Sequence, residues 1–246
     1  SKQDIEALLL GKFNPEKTEL ETNNLHELDR WLLSELHQLI EEVTKHMDEY
    51  NLSKATRPLI QFVDNLSNWY IRRSRRRFWK SENDQDKMLA YKTLHTVLTE
   101  LCKLIAPFTP FIADEIYRNL TEQASVHLQD WPKADSKLID QKLNDKMRIA
   151  RTVVRLGHAI RAKENLKVRQ PLNKIQVAVP NKKDAKYLQE LKDVILEELN
   201  VKEIELIENP EDQVQQSLKP NSKTLGPKLG QAMKEVLNAA RENKYE

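Results

Sequence analysis

From Leu28 onward, apolar residues return at three- and four-residue spacings. Trp31, Leu32, Leu36, Leu39, Ile40, Val43 and Met47 line one stripe of a first helix. Asn51 and Ser53 supply a break and a cap, after which Leu59, Phe62, Val63, Leu66, Trp69 and Tyr70 repeat the spacing on a second helix. Pro58 is tolerated only near a first turn, which places the start of that regular helix near Ala55. The polar stretch 81–86 reads as loop and cap. Met88, Tyr91, Leu94, Leu98, Leu101, Leu104 and Ile105 then predict the inner face of a third helix, stopped by Pro107. Thr109 and Pro110, as N-cap and first helical residue, predict a short fourth helix over 110–120. Each amphipathic helix can bury its stripe only against the others, so the pattern predicts an antiparallel bundle. A fifth, long helix is expected over 136–164, using Leu143, Met147, Ala150, Val154 and Ile160.

The pattern changes after Pro171. Residues 174–179 alternate polar with β-branched or small apolar residues and read as a strand; 187–199 read as helix and 201–207 as a second strand. Strand, helix, strand at these lengths forms a small βαβ-like unit. Residues 221–230 hold two glycines, and a last helix is expected over 227–240. The expected organisation is therefore mainly α: a linker over 1–24, a helical bundle over 25–133, a long connecting helix over 134–172, and a small α+β subdomain over 173–246.

Composition narrows the chemistry. Only four glycines in 246 residues disfavour a phosphate-cradling loop fold or an all-β fold. No apolar run approaches the roughly 18 to 20 residues needed to cross a bilayer, and the start SKQDIEALLL does not read as a secretory leader. No membrane partner is expected, and the chain is expected to be a monomer; a single cysteine, which permits no internal disulfide, fits a reducing cytoplasm. The single cysteine, Cys102, lies in an apolar helical stretch and is read as a buried, inert thiol rather than a nucleophile. No GxGxxG, GxxxxGK[ST], HExxH or GxSxG motif is present. His37 and His46 face away from the first stripe, and the neighbouring acids Glu41–Glu42 and Asp48–Glu49 diverge on a helix, so neither set forms an acid–base pair. No catalytic residue and no metal site is assigned.

Net charge is only +2, but its distribution is uneven. Residues 67–80 hold Arg72, Arg73, Arg75, Arg76, Arg77 and Lys80 with no acid. At a constant 100° per residue, Arg73 and Arg77 extend the apolar stripe, whereas Arg72, Arg75 and Arg76 fall outside it. An inward arginine must be paired, so Arg73 and Arg77 are expected to form structural ion pairs, with Asp114 and Glu115 as candidate acids. The outward set, with Trp79 and Lys80, suits RNA: guanidinium groups fork onto phosphates and an indole stacks on bases. The alternative is a solvated basic face with Trp79 capping the core, or a scaffold whose basic face meets an acidic protein. Arg148, Arg151 and Arg155 make a second stripe at i, i+3 and i+7, continued by Lys163, Lys167 and Arg169. Taken alone, this stripe reads more readily as a solvated face; two basic tracts on separate elements favour the RNA reading.

Four segments then carry a resemblance: LDRWLLSEL (28–36), SNWYIRRSRRRFW (67–79), LIAPFTPFIADEIY (104–117) and SVHLQDWP (125–132). In this order they resemble the anticodon-binding helical bundle of the class I aminoacyl-tRNA synthetases for isoleucine, valine and leucine. The arginine-rich second segment, with KVRQPL (167–172) and KPNSKTLGPKLG (219–230), is similar to the isoleucyl-tRNA synthetases of the eukaryote-like subtype; the valyl and leucyl families are the alternative. The resemblance spans roughly 13–235 and implies binding of an anticodon stem-loop of tRNA(Ile), beside a catalytic core of the same chain. It implies ATP and magnesium for ligation by the whole enzyme, and no cofactor for these residues, because signatures of the His-Ile-Gly-His and Lys-Met-Ser-Lys-Ser type are missing. Residues 1–12 do not match the stretch expected to lead out of such a core.

Overall fold

The computed structural model describes residues 25–80, 84–179, 181–207, 220–221 and 229–241, with the single positions 225 and 227. The expected linker, part of the 81–86 loop and most of 219–228 lie outside the described residues. The chain divides into two compact units, Ser1–Arg148 and Ile149–Glu246.

In the first unit, α1 spans Glu27–Asp48. Its start is capped by His26, whose Nδ1 accepts the Leu28 N–H at 3.2 Å. The expected stripe is buried at Trp31, Leu32, Leu36, Leu39, Ile40 and Val43, and half-buried at Met47 near the end of the helix. Helix α2 spans Leu52–Asn65, with the Asn51 side chain accepting the Lys54 N–H at 3.2 Å. It therefore begins before Ala55 and carries Pro58 in its interior. The cap supplies what the start needs, and Pro58 removes a single N–H from the ladder. Ala55, Leu59 and Phe62 are buried, but Val63 is 44% exposed and does not belong to the inner face.

A π-helical segment, Leu66–Ile71, follows, and the chain resumes as α3, Arg75–Lys80. Helix α4 spans Asp84–Ile105, so residues 84–86 are helical rather than loop. Its fully buried positions are Ala90, Thr93, Val97 and Leu104. The expected face was offset from these because α4 packs on two sides, along α1 and along the next helix, so Met88, Tyr91, Leu94 and Leu98 are only half-buried. Helix α5 spans Pro110–Thr121, with Pro110 in its first turn. Cys102 sits in a buried cluster with Ala106, Ala113, Tyr117 and Val126, and burial pushes its thiol up to about 11.

The segment after α5 returns along α1. The Trp131 indole donates to Thr44 Oγ1 at 2.8 Å, and the Asp140 N–H donates to Ser34 Oγ at 2.8 Å. Residues Ser136–Leu138 form a 3-10 turn, and α6 spans Gln141–Lys163. The long helix thus starts later than 136, because Asp140 caps it by accepting the Leu143 N–H at 3.0 Å. Its start is tied to α1 by Lys146 with Glu27 at 2.8 Å and by Asn144 with Gln38 at 2.9 Å.

In the second unit, β1 (Leu172–Ala178) and β2 (Val201–Ile207) pair in parallel, with Leu172 opposite Val201 and Ile175 opposite Ile204. Two helices connect them, α7 (Lys182–Glu190) and α8 (Lys192–Leu199); the single expected helix breaks at Leu191. The inner face of α6 here is Val153, Val154 and Arg161, whereas Ile160 is 59% exposed. Gly157 is required by a close approach: a Cβ there would lie 2.6 Å from both methyl carbons of Leu199. The last described helix, α9, spans Met233–Arg241. Among the described residues, no helix is long and apolar enough to cross a membrane.

Candidate nucleic-acid interface

The arginine run sits immediately after the π segment, and that segment decides which arginines face inward. A π turn bonds i to i+5 and fits an extra residue into the stretch. Regular bonding returns with Ser74 N–H to Tyr70 O at 2.8 Å and Phe78 N–H to Ser74 O at 3.1 Å. Inward positions from the end of the π segment onward are therefore Tyr70, Ser74 and Phe78, each 5% exposed or less. Ser74 occupies the place that constant pitch gives to Arg73. Arg73 is displaced to the flank, half-buried, with its guanidinium 5.5 Å from the Trp69 ring centroid.

Arg77 is turned inward, as expected, but its acids are Asp29 and Asp86. Its terminal nitrogens donate to the two Asp29 oxygens at 2.9 and 2.6 Å. Its Nε donates to both Asp86 oxygens, at 3.1 and 2.9 Å. Tyr70 completes the network by donating to Asp29 Oδ1 at 2.6 Å. Burial works against the charged guanidinium, but the bonds to Asp29 and Asp86 outweigh it, and its pKa stands above the usual value. Burial, then the Asp29 charge, raises the Tyr70 hydroxyl well above its ordinary value. The foreseen acids are engaged elsewhere: Asp114 accepts from Ser125 Oγ at 2.6 Å and from the Val126 N–H at 2.9 Å, and Glu115 is exposed and bonded to Asn119. Asp29 was missed although a signal existed, since it lies three residues before Leu32 and seven before Leu36, on the buried stripe. Asp86 sits in a polar stretch and gave none.

Phe78 anchors the same short helix. Its ring meets Tyr70 at 6.4 Å in an edge-on geometry and Tyr91 at 5.1 Å, contacts worth about 0.5–1.5 kcal/mol each beyond burial. With Arg77 and Phe78 fixed inward, Arg72, Arg75 and Arg76 are exposed. Arg72 Nε donates to the Asn68 carbonyl at 2.9 Å. Trp79 is 62% exposed, with the Arg75 guanidinium 5.6 Å from its ring centroid. It does not cap the core. The Lys80 side chain lies outside the described residues.

On α6, Arg148 is exposed and pairs with Asp145 at 3.4 Å. Arg151 is half-buried and Arg155 exposed. Lys163, Lys167 and Arg169 are exposed at and beyond the end of α6. Arg72, Arg75, Arg76, Trp79 and Arg148 belong to the first unit; Arg151, Arg155, Lys163, Lys167 and Arg169 belong to the second. His37, assigned to the surface, is half-buried and accepts the Asp135 N–H at 3.1 Å.

Comparison with known proteins gives consistent results. The family model described as "Anticodon-binding domain of tRNA ligase" matches residues 29–177. The chain is 47% identical to an isoleucine–tRNA ligase of Dehalococcoides mccartyi over 207 residues, which is 82% of this chain and 20% of that protein. It is 43% identical to an isoleucine–tRNA ligase of Treponema denticola over 212 residues, 85% of this chain and 19% of that protein. An isoleucine–tRNA ligase of Chlamydia caviae is 42% identical over 230 residues, 92% of this chain and 22% of that protein. The chain spans about a fifth of the length of the curated relatives it matches.

Proposed function

Because the chain belongs to the isoleucine–tRNA ligase family and carries its anticodon-binding domain, we propose that these residues bind the anticodon stem-loop of isoleucine tRNA and leave the ligation step, with its ATP and magnesium, to the catalytic core of the same protein. One observation supports this most directly. The Asp29–Arg77–Asp86 network locks α3, and in doing so holds Arg75, Arg76 and Trp79 in solvent. That arrangement offers forked donors for phosphates beside a flat indole for an unstacked base. The exposed cations Arg148, Arg155, Lys167 and Arg169 offer further backbone contacts.

The test is a binding titration of the intact chain with isoleucine tRNA across a salt series, with ATP–pyrophosphate exchange measured on the same preparation. Affinity should fall steeply with salt, by about 0.7–0.9 in log–log slope per phosphate neutralised, and exchange should be absent. Salt-independent affinity would remove the electrostatic basis of the reading. Equal affinity for valine or leucine tRNA would remove its specificity.

A further inference from the structure

Arg161, near the end of α6, is 4% exposed. Its bonding partners are carbonyl groups: Nη1 donates to Lys167 O and Gln170 O, both at 3.1 Å, and Nη2 donates to Leu199 O at 2.7 Å and Asn200 O at 3.2 Å. Within the described residues, no salt bridge to a carboxylate is formed by this guanidinium. The carbonyls of Leu199 and Asn200 lie at the C-terminal end of α8, where the helix dipole favours a cation. Between the other two carbonyls runs a tight turn, closed by Gln170 N–H to Lys167 O at 3.0 Å. The carbonyl inside that turn, Val168 O, accepts from Asn200 Nδ2 at 2.9 Å. Three of the turn's four carbonyls are thus held from beneath, and the side chains of Lys167, Val168 and Arg169 stand in solvent.

A buried cation without an anion is costly, and fixing a surface turn alone could be done by neutral donors. A guanidinium adds two things here. Its fork reaches two pairs of carbonyls at once, as no lysine can, and its charge remains to add to the positive field at the turn. We propose that Arg161 is the positioning residue for an RNA contact made by Lys167 and Arg169, holding the 167–170 turn as a rigid seat for a phosphate of the bound strand. This rests on the tRNA-binding reading above.

The experiment is a double-mutant cycle on the intact chain, read as tRNA affinity and as the salt slope of that affinity. K167A/R169A should weaken binding about tenfold and lower the slope by about 0.7–0.9, the value for one phosphate. R161K should weaken binding about fivefold in the wild-type background and have no further effect in K167A/R169A, while lowering Tm equally in both. If R161K does not fold, Asn200→Gly takes its place: it keeps the left-handed backbone at φ +50° and removes only the bond to Val168 O. An equal loss of affinity in both backgrounds would overturn the inference, as would wild-type affinity in R161K. Unchanged binding by K167A/R169A, with Arg76→Ala still weakening it, would overturn the turn as a contact and leave the wider reading standing. No tRNA binding by the wild-type chain would overturn both.

Discussion

Asp29 and Arg77, 48 residues apart in sequence, meet through two parallel hydrogen bonds of 2.9 and 2.6 Å. The Asp29 side chain is fully buried and that of Arg77 is 12% exposed. One ion pair therefore fixes the start of α1 against the helix that carries the arginine run. Removing one partner leaves a desolvated charge, so Arg77→Ala should cost about 3–5 kcal/mol. Asp86→Ala should cost less, because that carboxylate is 29% exposed and Asp29 still holds the guanidinium. Urea denaturation of the two variants checks the order; equal losses would show that the Asp29 bonds do not dominate.

The phase shift at the π segment separates Arg73 from Arg77. Arg73→Ala, which removes among its contacts a cation–π contact worth about 0.5–1 kcal/mol, should cost less than Arg77→Ala, because Arg73 stands on the flank and not inward. Differential scanning calorimetry gives the ranking, and a larger loss at Arg73 would favour constant helical pitch.

Arg76→Ala should weaken tRNA binding with Tm unchanged, because its side chain is exposed. Trp79→Ala should weaken it by about 1–3 kcal/mol, and Trp79→Phe should retain much of the affinity, since any aromatic face can stack on a base. Filter binding measures both. Affinity unchanged in Trp79→Ala would exclude stacking at that position.

Two histidines give the first unit an acid-sensitive element. His26 and His37 both use Nδ1 as an acceptor, from the Leu28 and Asp135 N–H groups, which requires the neutral ring. Burial first, then the Arg77 charge, lowers the pKa of His26; burial lowers that of His37. The folded state thus binds fewer protons than the unfolded chain. Their contribution is fully present above pH 6.5, the ordinary imidazole value, and is lost as pH falls through the folded values. Urea midpoints should drop between about pH 7 and 5. His26→Asn, which caps without titrating, should flatten part of that slope.

Gly157→Ala tests the close approach in the second unit. In an open helix this change gains about 1 kcal/mol. Here it should cost about 1–3 kcal/mol, because the buried Leu199 side chain has little room to yield. A rise in Tm would show that Leu199 repacks freely.

Helix order, the βαβ unit and the outward arginines were legible because each follows from periodicity or from charge against an apolar stripe. Partner choice was not. Asp29 carries its signal in the stripe, but nothing local says that its partner lies beyond a second helix, and Asp114 looked equally available until Ser125 and Val126 were seen to occupy it. Gly157 and Arg161 share the inner face of α6, yet Ile160 was expected there, because an apolar residue matches a stripe more readily than a cation bound only to carbonyls. The π segment had no composition of its own, so constant pitch brought Ser74 one residue out of place.

The wide turn between Leu66 and Ile71 consequently sets the register of all that follows it. Winding the same amino acids as an unbroken α-helix would advance everything downstream by about 100°. Ser74 would leave the interior, Arg77 would lose its registration with Asp29, and the outer guanidinium groups would sweep to a different side of the bundle, with not one of them substituted.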